Sequence, residues 1–461
     1  MENFWDYSVW ATYNVIAILL ISLLVANILK RRIPLLQASL IPTSVLGGGI
    51  IIVVAGVYKI FTGNIMFDEP FFAGRGTATL ELLTYHTLAL GFIASTFKSS
   101  EGKLTKQRTV EIFNTGVTTV STYLLQAIVG VSISMLAAVL MKDFFAAAGV
   151  LLPFGYGQGT GQALNYGNMY ETQFGFAGGK SFGLTIAALG FLSASIGGVI
   201  HLNILRKSKK ITITKKVEGK ISSEEIQSDD EIPMQESIDK MTVQIALIAV
   251  AYVLTYLIML VLGNMVPGMK SIVYGFNFLL GVLSTTVVKF VMRKFRKVNL
   301  IHRQYINNFL MTRASNLFFD IMVVSGVAAI RLSVLEDYWG VILIMGVAGL
   351  VVTYIYNYIV AKTLFKDYAE EQFLTMFGML TGTASTGIIL LREIDGEFKS
   401  PASDNMVYQN FPAIAFGFPM MILATMAPVK LGVSFAVFVA YFVVMNIILF
   451  RSILFKKLKR K

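Results

Sequence analysis

The sequence contains no cysteine and only three histidines, His86, His201 and His302. Without cysteine there is no disulfide framework, thiolate metal site or thiol nucleophile. The histidines lie far apart and lack metal-ligand spacing. Charge is scarce as well: 14% of the 461 residues are Asp, Glu, Lys or Arg, against about 25% in a soluble domain. No clustered nucleophile, base or metal constellation is present, which argues against an enzyme. The opening residues Met1 to Asp6 are acidic and aromatic, with no basic stretch or small-residue cleavage site, so no cleaved signal peptide is expected.

Apolar length is what the chain has in abundance. Hydrophobic residues make up 55% of it, and a bilayer crossing needs about 20 apolar residues in a row. Runs near 8–29, 42–60, 79–97, 109–141 and 181–205 precede the middle of the chain. Runs near 241–263, 271–292, 313–332, 338–361, 406–426 and 431–450 follow it. Eleven spans are therefore predicted, in an all-α polytopic membrane protein. The net charge of +12 reflects Lys and Arg collecting in cytoplasmic loops. With eleven spans, Lys30-Arg31-Arg32, Arg206-Lys207, Arg293-Lys294 and the tail Lys456 to Lys461 all fall on one side. The N-terminus is then outside and the C-terminus cytoplasmic. This pattern excludes a soluble or nucleic-acid-binding protein despite the basic balance.

Residues 206–240 form the one long hydrophilic stretch, a basic block followed by Glu224, Glu225, Asp229, Asp230 and Glu231. Such a segment buries too little to fold alone and reads as a mobile cytoplasmic linker between residues 1–205 and 241–426. The run at 431–450 and the basic tail to 461 stand outside both halves.

The halves share a motif. Phe154-Gly155-Tyr156-Gly157-Gln158-Gly159-Thr160 aligns with Phe377-Gly378-Met379-Leu380-Thr381-Gly382-Thr383 at a constant offset. Each half has five spans, an odd number, so the second enters the membrane upside down, as in the inverted repeats of secondary transporters. Glycine costs a helix interior roughly 1 kcal/mol relative to alanine, so the segments near 144–163 and 373–391 should break. Broken backbone at membrane depth is tolerated only when buried in protein or lining a wet cavity. Both segments are expected to be re-entrant hairpins whose tips meet near the midplane.

Half-helix N-termini at such tips favour anions, and exposed carbonyls favour alkali cations. The nearby side chains are neutral: Gln158, Thr160, Gln162 and Asn165 in the first, Thr381, Thr383, Ser385 and Thr386 in the second. With Gly159, Gly161 and Gly382 they suit a small carboxylate together with Na⁺. Gly157 and Gly161 would serve equally as a helix-packing face. A dinucleotide loop is excluded, since the glycine run follows no strand and has no acidic partner about 20 residues on. Asp320, inside a span, is a Na⁺-ligand candidate or the ion-pair partner of Arg313 or Arg331. Arg392 could hold a substrate carboxylate or simply be a positive-inside residue. Asp404 and Asn405 are N-caps or ligands, and His86 reads as a core histidine.

Gly157-Gln158-Gly159-Thr160-Gly161 with Phe182-Gly183-Leu184, and Phe377-Gly378 with Gly382-Thr383-Ala384-Ser385-Thr386-Gly387, resemble the two motifs of the bacterial sodium/glutamate symporters. The resemblance runs from about Gly47 to Met426 and departs at Gln158 and Ser385. It implies Na⁺-driven uptake of glutamate or a similar small carboxylate, a homodimer in the bacterial cell membrane, and an elevator motion. By the same resemblance Na⁺ is the coupling ion and no cofactor is expected; the residues themselves put the ion near Thr381, Gly382, Asp320 and Asp404. Another organic anion, or proton-coupled antiport on the same fold, is the alternative.

Overall fold

A computed structural model describes residues 3–98, 105–208, 230–234, 237–265, 270–336, 338–396 and 399–458. These are almost wholly helical. The long helices are α1 (Tyr7–Arg32), α2 (Thr43–Thr62), α3 (Gly76–Phe97), α4 (Lys106–Leu140), α5 (Leu151–Phe174) and α6 (Gly179–Lys207). After the linker come α7 (Lys240–Met265), α8 (Asn277–Lys297), α9 (Asn308–Ala328) and α10 (Trp339–Leu364). Two short helices follow, α11 (Ala369–Thr381) and α12 (Ala384–Arg392), then α13 (Ala402–Tyr408), α14 (Asn410–Met426) and α15 (Leu431–Leu449).

Local chemistry sets several ends. Pro34 follows the last residue of α1 and its C-cap Ile33, which is held extended, the conformation that proline imposes on its predecessor. Thr105 caps α4 by accepting a hydrogen bond from the Arg108 N–H, which satisfies one of the free donors of the first turn.

Among the described residues eight helices are long and apolar enough to cross a membrane, or nine if the bent pair α13–α14 counts as one span. Eleven spans were expected, and the shortfall lies in α3 and α8. Helix α3 is interrupted by Glu81, Thr84, His86 and Thr87, and α8 carries Lys289, Arg293, Lys294, Arg296 and Lys297. Both are helical, but polar side chains dilute their apolar runs.

The chain divides into two compact units, one of residues 1–80, 104–217 and 324–461, the other of 81–103 and 218–323. In the larger unit α5 lies along α6 through interlocked small residues. A methyl group on Gly183 would sit 2.5 Å from the Ala163 carbonyl oxygen, so only glycine permits that approach.

The smaller unit groups α3 with α7 and α8 around Ile93, Phe97, Ile248, Ala251, Met311 and Ala314. His86 bonds the Tyr252 hydroxyl at 2.6 Å but on an exposed face, so it is not the core histidine expected. The end of the linker is tied to α7 by side-chain contacts. Glu231 and Lys240 are buried and paired at 2.7 Å, and Asn307 donates to the same Glu231 oxygen at 2.6 Å. A buried pair with its remaining sites hydrogen-bonded is costly to break. Residues 209–229, 235 and 236 of the linker lie outside the described residues.

Candidate functional site

Helix α5 breaks at Gly159, whose φ of 77° and ψ of −169° are non-helical. Such a backbone is open essentially to glycine alone. The chain doubles back there: the Phe154 and Tyr166 rings stack with centroids 3.7 Å apart, whereas a straight helix would separate residues twelve apart by about 18 Å. The outgoing arm runs to Phe174, longer than the 144–163 segment expected from sequence. A second break separates α11 from α12 at Gly382 and Thr383. Here too the arms fold together, since a methyl on Gly378 would lie 2.8 Å from the Gly387 Cα. The two breaks fall on Gly159 and Gly382, the glycines that the motif alignment pairs.

Two residues touch both segments. Gln126 of α4 donates from Nε2 to the Leu380 carbonyl at 2.9 Å and to the Thr353 hydroxyl at 2.8 Å. Its Oε1 has no partner and would lie 3.3 Å from a methyl on Gly157. Gly190 of α6 lies under both segments: a methyl there would sit 2.4 Å from the Thr381 carbonyl oxygen and 3.2 Å from the Tyr156 ring. The first arm is pinned from both sides. Tyr123 donates to the Gly157 carbonyl at 3.1 Å, and Tyr156 donates to the Gly346 carbonyl at 2.6 Å. Gly157 is closely packed in any case, because a methyl there would meet the Tyr123 ring at 2.2 Å.

Of the residues singled out from sequence, Thr160 is fully buried and packs on Gly326. Gln162 is 1% exposed, and neither its amide nitrogen nor its oxygen has a hydrogen-bond partner. An amide left so costs roughly 1–3 kcal/mol. Gln158 and Asn165 are half-buried, while Gly159 and Gly161 are buried. Across from them Thr381 is buried and donates to the Phe377 carbonyl at 2.6 Å. Thr383 is half-buried and its hydroxyl faces that of buried Thr386 at 3.4 Å. Ser385 sits in the first turn of α12, and its side chain lies outside the described residues.

Two candidates are elsewhere. Asp404 is exposed and faces Arg108 at 3.7 Å, and Arg108 precedes Gln126 by 18 residues, about 27 Å of helix. Arg392 is exposed at the far end of α12. Asp320 is exposed on α9 and belongs to the smaller unit. Asn405, the alternative cap, is buried and donates to Tyr368 and Gln372 at 2.9 and 3.1 Å. Among the described residues no three His, Cys, Asp or Glu side chains converge as metal ligands. A cation at the breaks would be met by carbonyl, amide and hydroxyl oxygens.

Sequence reasoning missed Tyr123, Gln126, Tyr156 and Thr353. A signal existed for one of them. Glu111, Thr115, Thr119, Thr122 and Gln126 recur along α4 at helical spacing, a polar stripe in an apolar span.

Curated proteins give no match to the chain. The sodium/glutamate symporter family matches residues 9–399, which takes in both broken segments and stops before α13. That match covers most of the chain and both glycine motifs. A polytopic helical membrane protein with two such breaks side by side, it belongs to the sodium/glutamate symporter family.

Proposed function

We propose that the protein couples Na⁺ entry to uptake of glutamate or a similar small carboxylate at the paired breaks. The observation that carries this reading is Gln162: a fully buried amide with no partner, one turn from the Gly159 break. Buried polar groups are normally hydrogen-bonded, and a carboxylate ligand would accept from the amide Nε2 that the protein leaves without a partner. The unpartnered Gln126 oxygen and the Leu380 and Thr381 carbonyls supply the kind of oxygen ligands that suit Na⁺.

On this reading the two broken segments are re-entrant hairpins of inverted repeats. The N-terminus is outside, and the protein works as a homodimer whose hairpin-bearing part moves as an elevator. Thr160, Gln162, Thr383 and Thr386 contact substrate, while Thr381 and Gly382 lie beside the ion. Reconstituted protein in vesicles with an imposed Na⁺ gradient should accumulate labelled glutamate, and collapsing only the proton gradient should leave uptake intact. Uptake that is unchanged when choline replaces Na⁺ would overturn the coupling. Accumulation of other carboxylates without glutamate would overturn the substrate.

A further inference from the structure

Helix α8 ends in a basic cavity unrelated to the breaks. It has a volume of about 380 Å³ and is lined by Lys289, Arg293, Arg296 and Arg303 together with Gln304 and Tyr305. No Asp or Glu is among its lining residues. Four like charges around one cavity repel one another, and the cluster is only partly offset. Arg296 pairs with Asp230. Lys289 donates to the Thr96 and Lys98 carbonyls, both at 2.9 Å, which neutralise no charge. Arg293 and Arg303 have no ion-pair partner among the described residues.

The cavity is built rather than incidental. Its rear wall, Gln304 to Ile306, is held from behind by buried side chains. Gln244 donates to the Tyr305 carbonyl at 2.8 Å and accepts from the Asn307 N–H at 3.0 Å, while Asn307 is tied to the Glu231–Lys240 pair. Two carbonyls fix Lys289 at the other side. Lys289 and the rear wall are therefore held in place before any ligand arrives.

Their surroundings name the ligand. Interleaved with the first lining positions, Lys289 and Met292, α8 exposes Val287, Phe290 and Val291, so the helix passes there from apolar to basic. Phe290 and Arg293, three apart, share a face. A ligand with acyl chains beside Phe290 and an anionic phosphate among the arginines would satisfy both. We propose that this cavity binds the phosphate headgroup of an anionic phospholipid, Arg293 and Arg303 supplying the uncommitted guanidinium donors. Basic pockets at the cytoplasmic ends of membrane helices are suited to such headgroups. The site is independent of the transport reading.

The test uses the full chain in neutral detergent, titrated with phosphatidylglycerol, phosphatidylcholine and inorganic phosphate, with bound lipid read by native mass spectrometry. Phosphatidylglycerol should bind more tightly than phosphatidylcholine. Removing two arginines together, Arg293→Gln with Arg303→Gln, should weaken it about 30-fold. The pair Lys297→Gln with Arg313→Gln removes the same charge from the same unit outside the cavity and should change affinity by less than about threefold. Equal weakening by both pairs would mean a diffuse surface field and overturn the site. Equal binding of phosphatidylcholine would also overturn it, and inorganic phosphate binding as tightly as the lipid would replace the headgroup by a free anion. If the double arginine variant does not fold, Arg303→Gln alone should weaken phosphatidylglycerol about fivefold, and no change would overturn the proposal.

Discussion

The two breaks carry aligned glycines but are differently enclosed. Around Gly159 the chain is sealed: Thr160 and Gln162 are at most 1% exposed, and the Phe154–Tyr166 stack closes the arms. Around Gly382 it is looser, with Thr383 half-buried and Ala384 exposed. The first break also needs a positive φ of 77°, which favours glycine, whereas Gly382 has a negative φ of −143°. The same motif thus yields one wall that is more enclosed and one that is more exposed.

The largest test of this difference is to place alanine at each break. Gly159→Ala forces a side chain into a glycine-only region at a cost of about 1–3 kcal/mol. Transport should fall at least roughly tenfold, and the melting temperature should drop. Gly382→Ala meets the Thr386 hydroxyl at 2.9 Å, a rotatable group, and should lose less of both. Equal losses in uptake and thermal unfolding would erase the distinction.

Next in size is a change whose two effects have opposite signs. Gln162→Met keeps the side-chain length and removes the unpartnered amide. The empty protein should gain stability, on the order of 1–3 kcal/mol, while losing substrate binding. Loss of stability in thermal unfolding would mean that Gln162 is a structural residue.

A smaller effect is expected in accessibility, which the natural absence of cysteine makes easy to measure. Without substrate, a cysteine at Thr383 should react with water-soluble thiol reagents faster than one at Thr160. A cysteine at Ala17 in α1 should not react. Substrate with Na⁺ should protect both tips, and faster labelling at Thr160 would invert the proposed asymmetry.

The smallest effect concerns the base of the second segment. Burial pushes the Glu370 carboxyl up, but hydrogen bonds from His201 and Lys362 outweigh it and hold the carboxyl down at about 2, from an ordinary 4.5. A depressed carboxyl stabilises the fold above its unfolded value, and that contribution is lost as pH falls from about 4.5 to about 2. Glu370→Gln should flatten the melting temperature across that window, and an unchanged acid slope would remove the ion pair from the account.

Much of this architecture is legible in the residues. Long apolar runs gave the helices, and the glycine-rich segments near 144–163 and 373–391 contain both breaks, at Gly159 and Gly382. The count of spans was less secure, because α3 and α8 mix polar side chains into apolar runs. Asp404 opens the following span and reads from sequence as an N-cap or a ligand, and its side chain faces Arg108. Gln126 was passed over, although its side chain lies against both breaks, because its partner Leu380 is 254 residues away.

The sequence by itself therefore determined that the chain crosses a membrane as helices and that two of its segments break. Apolar run length and the cost of glycine in a helix are local quantities, readable wherever they occur. Only the tertiary structure decided which side chains face those breaks and which are left without partners. Both depend on helix rotation and on contacts between distant segments, and helix periodicity fixes a face without saying what lies opposite it.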